Sequence, residues 1–236
     1  MHPDPLEFVY RYSRFQDQEV VGLIASTLAY GRVKQILKNT MWILEKLGPT
    51  PSDFLKRESP KTIRHLTQGF KHRFTKDEDL YHLLLGIQKN LNHYGSLYEC
   101  FLAGYAKKDA STLPALSLFA EKIIGQKGTY GAHLLPKPDK NSASKRLHMF
   151  LRWMVRKDAI DPGGWDHISP SKLIVPIDTH MHQMGLKLGF TQRKQANLKT
   201  ALEVTTAFAK FSPDDPVKYD FSLTRLGIRK IENTTS

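Results

Sequence analysis

The amino-acid sequence predicts an all-α protein. Apolar residues recur every three or four positions in one segment after another, and several of these segments end at a glycine, as amphipathic helices often do. Alternation of apolar and polar residues, which would indicate strands, is almost absent. The short stretch KLIVPI at 172–177 is the one exception. The pattern therefore favours a core built from packed helices.

The helices can be followed in order along the chain. The first covers 18–31, where Asp17 precedes the apolar face as a candidate N-cap and Gly31 follows it as a stop signal. The same periodicity predicts helices at 33–48, 77–95, 95–106, 113–125, 141–158, 179–188, 196–211 and 216–227. Loops are predicted at Pro49–Pro60, Pro136–Ser144 and Asp158–Pro176, which are rich in turn-forming residues.

Length and composition limit the class of protein. The 236 residues fit one large domain or two small lobes, and 40% hydrophobic residues are enough for a core. A net charge of +12, from 35 Lys and Arg against 23 Asp and Glu, favours a phosphate-rich partner such as nucleic acid. A basic solvated surface without a partner is the alternative interpretation of the same charge.

Cysteine content and hydropathy indicate a cytoplasmic protein. The single cysteine, Cys100, excludes a disulfide framework, a four-cysteine zinc site and a cysteine-ligated iron–sulfur cluster. No segment reaches the roughly 18 continuous apolar residues of a membrane span, and none resembles a signal peptide. Because Met1 lies close to the first predicted helix, an N-terminal segment missing from this sequence stays an open alternative.

Asp178, His180 and His182 follow the apolar stretch and allow a metal-site interpretation. An apolar strand that ends in Asp-x-His-x-His resembles the first metal site of amidohydrolases. That family needs a barrel of roughly 250 residues, with more ligands on later strands. Only 54 residues follow His182, and they are predicted to be helical. On a helix the two histidines would diverge by about 200°.

Asp178 has a simpler interpretation as the N-cap of a helix. The helix 179–188 would then bury Met181, Met184 and Leu188 and would end at Gly189. Capping alone accounts for an aspartate at this position. A functional role for Asp178 therefore depends on which residues lie near it.

The predicted helix 141–158 has an apolar face and a cationic face. The apolar face consists of Leu147, Phe150, Leu151, Met154 and Val155, and the opposite face of Lys145, Met149, Arg152 and Arg156. The preceding segment PKPDKNSAS is small, polar and turn-forming, so free backbone N–H groups at the helix start could bind a phosphate. A charged outer face without a ligand is the alternative.

Three stretches resemble the helix-hairpin-helix DNA glycosylases of the endonuclease III and oxoguanine glycosylase group. PIDTHMHQMGLKLG resembles the stretch that holds that family's catalytic aspartate, NSASKRL resembles a degenerate hairpin, and QEVVGLIASTLAYGRVKQI resembles the opening helix pair. The amino-acid sequence as a whole, including LRWMVRKD and SPDDPVKYDFSLTRLG, resembles an uncharacterised bacterial family catalogued as a domain of unknown function.

The glycosylase resemblance implies an all-helical, two-lobed fold with a degenerate helix-hairpin-helix. Residues 19–130 would form a central helical lobe, and residues 131–236 would form a lobe with the hairpin and the catalytic aspartate. Residues 1–18 would join the second lobe. The whole chain, 1–236, would be one helical unit.

The same resemblance implies Lys145 as the nucleophile and Asp178 as the catalytic carboxylate. A lysine amine has an ordinary pKa of about 10.4, and we expect Arg146, Arg152 and partial burial to lower it. The implied activity is base-excision repair by an N-glycosylase with AP lyase activity. Its partner would be double-stranded DNA with a damaged base, and it would need no cofactor. The gap of 33 residues between the pair suggests an oxidised purine, and a monomer is expected.

The chain departs from the glycosylase pattern at several positions. Asn141 and either Ala143 or Ser144 stand where the hairpin glycines would be, and His182 stands where an arginine is usual. Lys140 lies near enough to Lys145 to compete for the nucleophile's place. These departures favour an alternative function, a helix-hairpin-helix protein that binds DNA without catalysis. A metal-dependent hydrolase acting through His180 and His182 is the remote alternative.

Further site residues follow from the predicted reaction. Candidate DNA contacts are Lys137, Lys140, Asn141, Ser142, Ser144, Arg146, Arg152 and Arg156. A flipped base needs an aromatic wall and polar partners. The candidates for this base pocket are Tyr30, Gly31, Arg32, Gln35, Phe74 and Trp153, each of which ordinary packing could also explain.

Overall fold

Helices make up most of the chain that the computed structural model describes, which is residues 4–125, 130–138 and 141–223. The α-helices are α1 (Phe15–Thr27), α2 (Val33–Leu47), α3 (Pro51–Arg57), α4 (Pro60–Thr67), α5 (Asp77–Tyr94), α6 (Leu97–Leu102), α7 (Leu113–Ile124), α8 (Lys145–Val155), α9 (Thr179–Lys187) and α10 (Leu198–Ala209). Short 3-10 helices lie at Pro5–Arg11 and Pro170–Lys172. The all-α prediction is confirmed.

A two-stranded hairpin is the sheet within the described residues. Strand β1 (Lys71–His72) pairs antiparallel with β2 (Thr75–Lys76), so that Lys71 lies opposite Lys76 and His72 lies opposite Thr75. The sequence analysis did not predict this hairpin. Its turn lacks the Asn-Gly or Asp-Gly pair that usually marks a tight hairpin.

The predicted loop Pro49–Pro60 is wrong, because α3 occupies most of it and α4 begins at its end. Each of these helices has proline at its first position, Pro51 in α3 and Pro60 in α4. Proline suits that position because its φ angle is already helical and no intrahelical N–H is needed there. The two prolines therefore start helices, whereas the sequence analysis took them as signs of a loop.

Asp17 caps a different helix from the one predicted. Helix α1 begins at Phe15, so Asp17 lies inside its first turn. The Asp17 carboxylate accepts a hydrogen bond from the backbone N–H of Ser52 at 2.9 Å, in the first turn of α3. Asp17 thus joins α1 to α3 and satisfies a backbone donor that would otherwise be unpaired.

Two other predictions need correction or fall outside the described residues. The KLIVPI stretch is buried but forms no strand, and the Val175 N–H donates to the Thr205 hydroxyl of α10. The last predicted helix is a series of turns at 216–219 and becomes helical at Asp220–Leu223. Its remaining residues lie outside the described part of the chain.

Helix α8 packs against α1 at the centre of the molecule. Phe150 and Met154 of α8 are fully buried, and they approach α1 at Gly22, where a Cβ atom would lie 3.2 Å from Met154 Cε. Trp165 packs against Phe150 with ring centroids 5.3 Å apart. Each buried side chain of this size contributes roughly 1.5–3 kcal/mol relative to an exposed one.

One hydrophobic core includes buried residues from both predicted lobes, from Leu6 to Val217. The division into lobes itself stays a prediction. Among the described residues, no helix combines the length and the apolar character needed to cross a membrane.

Gly86 marks the closest approach between α5 and α7. A Cβ atom at Gly86 would lie 1.8 Å from the Ile123 carbonyl oxygen, so an alanine requires the two helix backbones to move apart. We expect Gly86→Ala to lower the free energy of unfolding by about 3 kcal/mol or more, measured by urea denaturation.

Gly22→Ala is the matched control for this substitution. Its Cβ would meet the flexible end of Met154 at 3.2 Å and the Phe150 ring at an ordinary contact distance of 3.5 Å, and alanine favours the helix, so we expect a change within about 1 kcal/mol. Equal stability of Gly86→Ala and the wild type would contradict the packing described above.

Candidate functional site

Lys145 and Asp178 form an ion pair between the starts of two helices. Lys145 is the first residue of α8, and its Nζ lies 3.1 Å from Asp178 Oδ2. Asp178 is the N-cap of α9, and its Oδ1 accepts the Met181 N–H at 2.8 Å, which confirms the predicted cap. The Lys145 side chain is 33% exposed and that of Asp178 is 19% exposed. Solvent therefore reaches both groups.

The buried stretch before Asp178 positions the carboxylate. Val175 and Ile177 are buried in the core, and Met181 of the following helix is fully buried. With apolar anchors on both sides of the cap, Asp178 is held at the boundary between core and solvent. Leu188, predicted on the buried face of α9, is instead 47% exposed, because the helix ends at Lys187.

The environment of Asp178 favours its ionised form. Burial alone would raise the pKa of the Asp178 carboxyl, but the Lys145 ammonium and the Met181 N–H lower it further than burial raises it. Asp220 lies fully buried nearby, where burial raises its pKa against the opposing charges of Arg152 and Lys145. The site thus combines one solvent-accessible carboxylate with a buried one behind it.

The prediction that Arg152 and Arg156 lie on a cationic outer face is wrong. Their side chains are only 5% and 6% exposed. Both are enclosed by carboxylates that take up their guanidinium donors, so neither can contact a DNA phosphate. Arg152 pairs with Asp161 at 2.9 Å and with Asp220, and Arg156 pairs with Asp158 at 2.8 Å, Asp215 at 2.9 Å and Asp161.

Arg146 also points inward, although Lys145 beside it is accessible. Its guanidinium donates to the carbonyl oxygens of Thr27, at 2.8 Å, and of His133. It also lies over the Tyr30 ring, 4.9 Å from the centroid. Arg146 and Arg152 therefore direct their guanidinium groups into the protein.

The turn before α8 has the backbone shape that glycines usually provide. Asn141 and Ser144, which stand where the hairpin glycines were expected, have φ angles of 58° and 41°. Ser144 is held by its own contacts, since its N–H donates to Ser142 Oγ and its hydroxyl donates to the Pro136 carbonyl. Asn141 is exposed, and Ser142 is partly exposed.

Two candidate lysines near this turn have different outcomes. Lys137 pairs with Glu121 at 3.1 Å, and its side chain is 22% exposed. Lys140 lies outside the described residues. The candidate DNA contacts that remain accessible are thus Asn141, Ser142 and, in part, Lys137.

Most of the predicted base-pocket residues do come together. The Tyr30 ring stacks on Phe74 with centroids 5.1 Å apart, and a Cβ atom at Gly31 would lie 2.8 Å from Arg73 Cδ. Gln35 donates to Asn39, which in turn contacts the hairpin at Lys71 and His72, and Arg32 is exposed at the start of α2. Trp153 is only 2% exposed in the core, so its assignment to the pocket is wrong.

The sequence analysis missed the residues that hold this group together. His72, Thr75 and His133 are bonded to Tyr30 or to each other, yet they come from a hairpin and a turn with no periodicity to reveal them. The one sequence signal was the dipeptide Arg73-Phe74, a large aromatic residue within a strongly polar segment.

The geometry does not favour the metal-site alternative. The buried His182 ring uses Nε2 to bond the Arg193 carbonyl at 2.7 Å, so this nitrogen is a donor and not a ligand. His180 is two positions away on the same helix and points to a different side. Within the described ranges, no three His, Cys, Asp or Glu side chains form a group that could hold a metal ion.

Comparison with known proteins connects the chain to one family. The family described as "Protein of unknown function (DUF2400)" matches residues 4–229, which include Lys145 and Asp178. This confirms the resemblance to a family catalogued as a domain of unknown function. Comparison with curated proteins gave no match. Comparison with solved structures gave no match either.

Removal of the Lys145 charge should raise the pKa of Asp178. In Lys145→Met, burial of the carboxyl is no longer opposed by the ammonium, so a carbon-13 NMR titration of the carboxyl should show a higher pKa. In the wild type, the lowered pKa contributes stability that is lost as the pH falls below the ordinary value of 3.8, and the variant should lose less. Lys187→Met, at the exposed end of α9, is the control. If the pKa of Asp178 is the same in Lys145→Met as in the wild type, the pairing is refuted.

His148 should make stability depend on pH. It is fully buried on α8, neither ring nitrogen has a hydrogen-bond partner among the described residues, and burial lowers its pKa from 6.5 to about 4. The folded state therefore resists protonation, and stability present above pH 6.5 should fall by about 3 kcal/mol as the pH drops towards 4. In urea denaturation across this range, His148→Met should show a flatter dependence. If the unfolding free energies of the wild type and His148→Met change with pH in parallel, His148 does not titrate in this way.

Proposed function

The chain belongs to the DUF2400 family of proteins of unknown function, and we propose that it is a DNA glycosylase that removes a damaged base and can then nick the strand. The observation that carries this proposal is the 3.1 Å approach of Lys145 Nζ to Asp178 Oδ2. These are the two residues that the glycosylase resemblance pairs, and 33 positions of sequence separate them. Both remain accessible to solvent, as a reacting pair must.

Asp178 supports the first step of the proposed reaction. Cleavage of an N-glycosidic bond builds positive charge at C1′ of the sugar, and an ionised carboxylate nearby stabilises that charge. The lowered pKa of Asp178 keeps the carboxylate ionised at neutral pH. Its bond to the Met181 N–H fixes one oxygen and leaves Oδ2 directed towards Lys145.

Lys145 supports the same bond cleavage as the attacking group, and then supports the strand nick. Once its proton has been lost, the amine forms a bond to C1′ while the base leaves with the electrons of the broken N-glycosidic bond and takes up a proton. Opening of the sugar ring then gives a Schiff base, from which loss of a C2′ proton expels the 3′ phosphate. Lys145 faces a carboxylate in the free protein, and this resting ion pair has to open before the amine can attack.

The surroundings of the pair suit a phosphate backbone. The preceding turn has two residues, Asn141 and Ser144, in the left-handed conformation that glycine usually adopts, and α8 has no side-chain cap from the described residues. The net charge of +12 attracts a polyanion. We propose double-stranded DNA with an oxidised purine as the substrate, a monomeric protein in the cytoplasm, and a reaction without a cofactor.

A DNA-binding protein without chemistry is the second candidate. The engagement of Lys145 by Asp178 favours it, because an ammonium group paired with a carboxylate is not free to attack a sugar carbon. In this alternative the ion pair is a structural link between α8 and α9. The two candidates differ in whether a covalent intermediate forms at Lys145.

Borohydride trapping tests the proposal. We expect the wild type to form a covalent adduct with at least one duplex from a panel that carries an oxidised purine, an oxidised pyrimidine, an alkylated base, uracil or an abasic site. Lys145→Ala should abolish the adduct, because the Schiff-base nitrogen is gone. Asp178→Asn should reduce its rate of formation on base-containing duplexes by about 100-fold or more.

Lys187→Ala is the matched control, because it removes the same charge from the exposed end of α9 and should leave trapping unchanged. An adduct that persists in Lys145→Ala would disprove the role of this lysine. A wild type that binds the whole panel and traps none of it would establish the binding protein instead.

A further inference from the structure

The hairpin formed by β1 and β2 is anchored by its two inward-facing residues. Buried His72 contacts the Asn39 amide at 2.9 Å and the Tyr30 carbonyl at 3.0 Å. Buried Thr75 bonds the Tyr30 hydroxyl at 2.5 Å and His133 Nε2 at 2.6 Å. These bonds connect the hairpin to α2, to the turn after α1 and to the segment before α8, so its tip is held in one position.

The outward-facing residues of the same hairpin are three cations and an aromatic ring. Phe74 is 60% exposed, although its ring stacks on Tyr30. Lys71, Arg73 and Lys76 are all exposed, and the segment 71–76 contains no acidic residue. Phe74 therefore projects much of its ring from the surface, and its place in a base pocket stays a prediction.

Three features of the hairpin are unfavourable for folding. Lys71 and Lys76 are cross-strand partners, and like charges in that position repel each other. Arg73 has a φ angle of 55° at a turn position where glycine or asparagine is usual. Phe74 leaves most of its ring in water. Unfavourable local choices on a rigidly anchored loop indicate a binding function.

Further cations lie near the tip of the hairpin. The Arg73 side chain packs against Gly31, which is followed by the exposed Arg32 and, in the first turn of α2, by the exposed Lys34. The acids that follow the hairpin are already engaged. Asp77 accepts the N–H groups of Gly69 and Glu78, Glu78 pairs with Arg64, and Asp79 accepts those of Lys76 and Gly131.

We propose that this hairpin tip is a stacking platform for an unpaired base of a DNA strand. Phe74 would stack on the base, and Arg73, Lys71 and Lys76 would contact the flanking phosphates. An aromatic ring among cations suits single-stranded nucleic acid, because every base offers a face for stacking and the backbone supplies the negative charge. The proposal rests on the proposed function for the choice of DNA, and it adds an unpaired stretch to the substrate.

Fluorescence anisotropy with an undamaged oligothymidylate of about 15 nucleotides tests the platform. Phe74→Ala should weaken binding by roughly 10-fold to 100-fold, and Phe74→Trp should restore it, because tryptophan also stacks. An abasic oligomer of the same length keeps the phosphates and lacks the bases. Its weaker binding should be the same for the wild type and Phe74→Ala.

Phe211→Ala is the matched control, since Phe211 is an equally exposed phenylalanine, at 69%, beyond the end of α10. It should bind the oligothymidylate as the wild type does. The platform is refuted if Phe74→Ala binds as tightly as the wild type, or if the wild type does not prefer oligothymidylate to the abasic oligomer.

This experiment involves no lesion and no chemistry, so it separates the two proposals. If the wild type is trapped by borohydride and Phe74→Ala binds oligothymidylate as tightly as the wild type, the glycosylase proposal stands and the platform is refuted. If no adduct is trapped but oligothymidylate binding depends on Phe74, the platform stands and the glycosylase proposal fails.

Discussion

Two buried arginines, Arg152 on α8 and Arg156 at the C-cap of that helix, determine how the C-terminal half of the chain is arranged. A guanidinium group without a partner would cost several kcal/mol to bury, so Arg152 and Arg156 require carboxylates at fixed positions. Asp161 bridges both arginines from the segment after α8, and Asp220 reaches Arg152 from the segment after α10. Hydrophobic residues could stabilise such a core equally well, but they would not specify which segments meet. The ion pairs therefore define the position of two segments that otherwise have little regular structure.

The candidate site depends on the same helix. Lys145 begins α8 about two turns before Arg152, and the buried Asp220 that neutralises Arg152 also interacts with Lys145 and Asp178. The accessible pair and the internal ion pairs are thus parts of one electrostatic system. A displacement of Lys145 would therefore change the electrostatic environment of Asp220, which is buried in the core.

Sequence patterns predicted what depends on periodicity and local capping. The helical class, most helix positions, the Asp178 cap and the proximity of Tyr30, Gly31 and Phe74 follow from such patterns or from resemblance. The burial of Arg152 could not be predicted, because its partners Asp161 and Asp220 lie outside α8, 9 and 68 positions away, and a helical wheel shows only an opposite face. The β-hairpin was missed for a related reason: side-chain bonds from other segments hold its strands in place. Proline was misinterpreted where it starts a helix.

Arg146 differs from Arg152 and Arg156 in the groups that surround its charge. Arg152 and Arg156 are neutralised by carboxylates, whereas the partners of Arg146 among the described residues are two carbonyl oxygens and the Tyr30 ring. Burial lowers the pKa of Arg146 to about 10, still well above neutral pH, so the group stays charged. Its positive charge lies beneath Tyr30, on which Phe74 stacks, and next in sequence to Lys145. Arg146 therefore connects α8 to the Thr27 and His133 carbonyl oxygens and to the ring on which Phe74 stacks, so its charge helps to arrange these segments inside the protein.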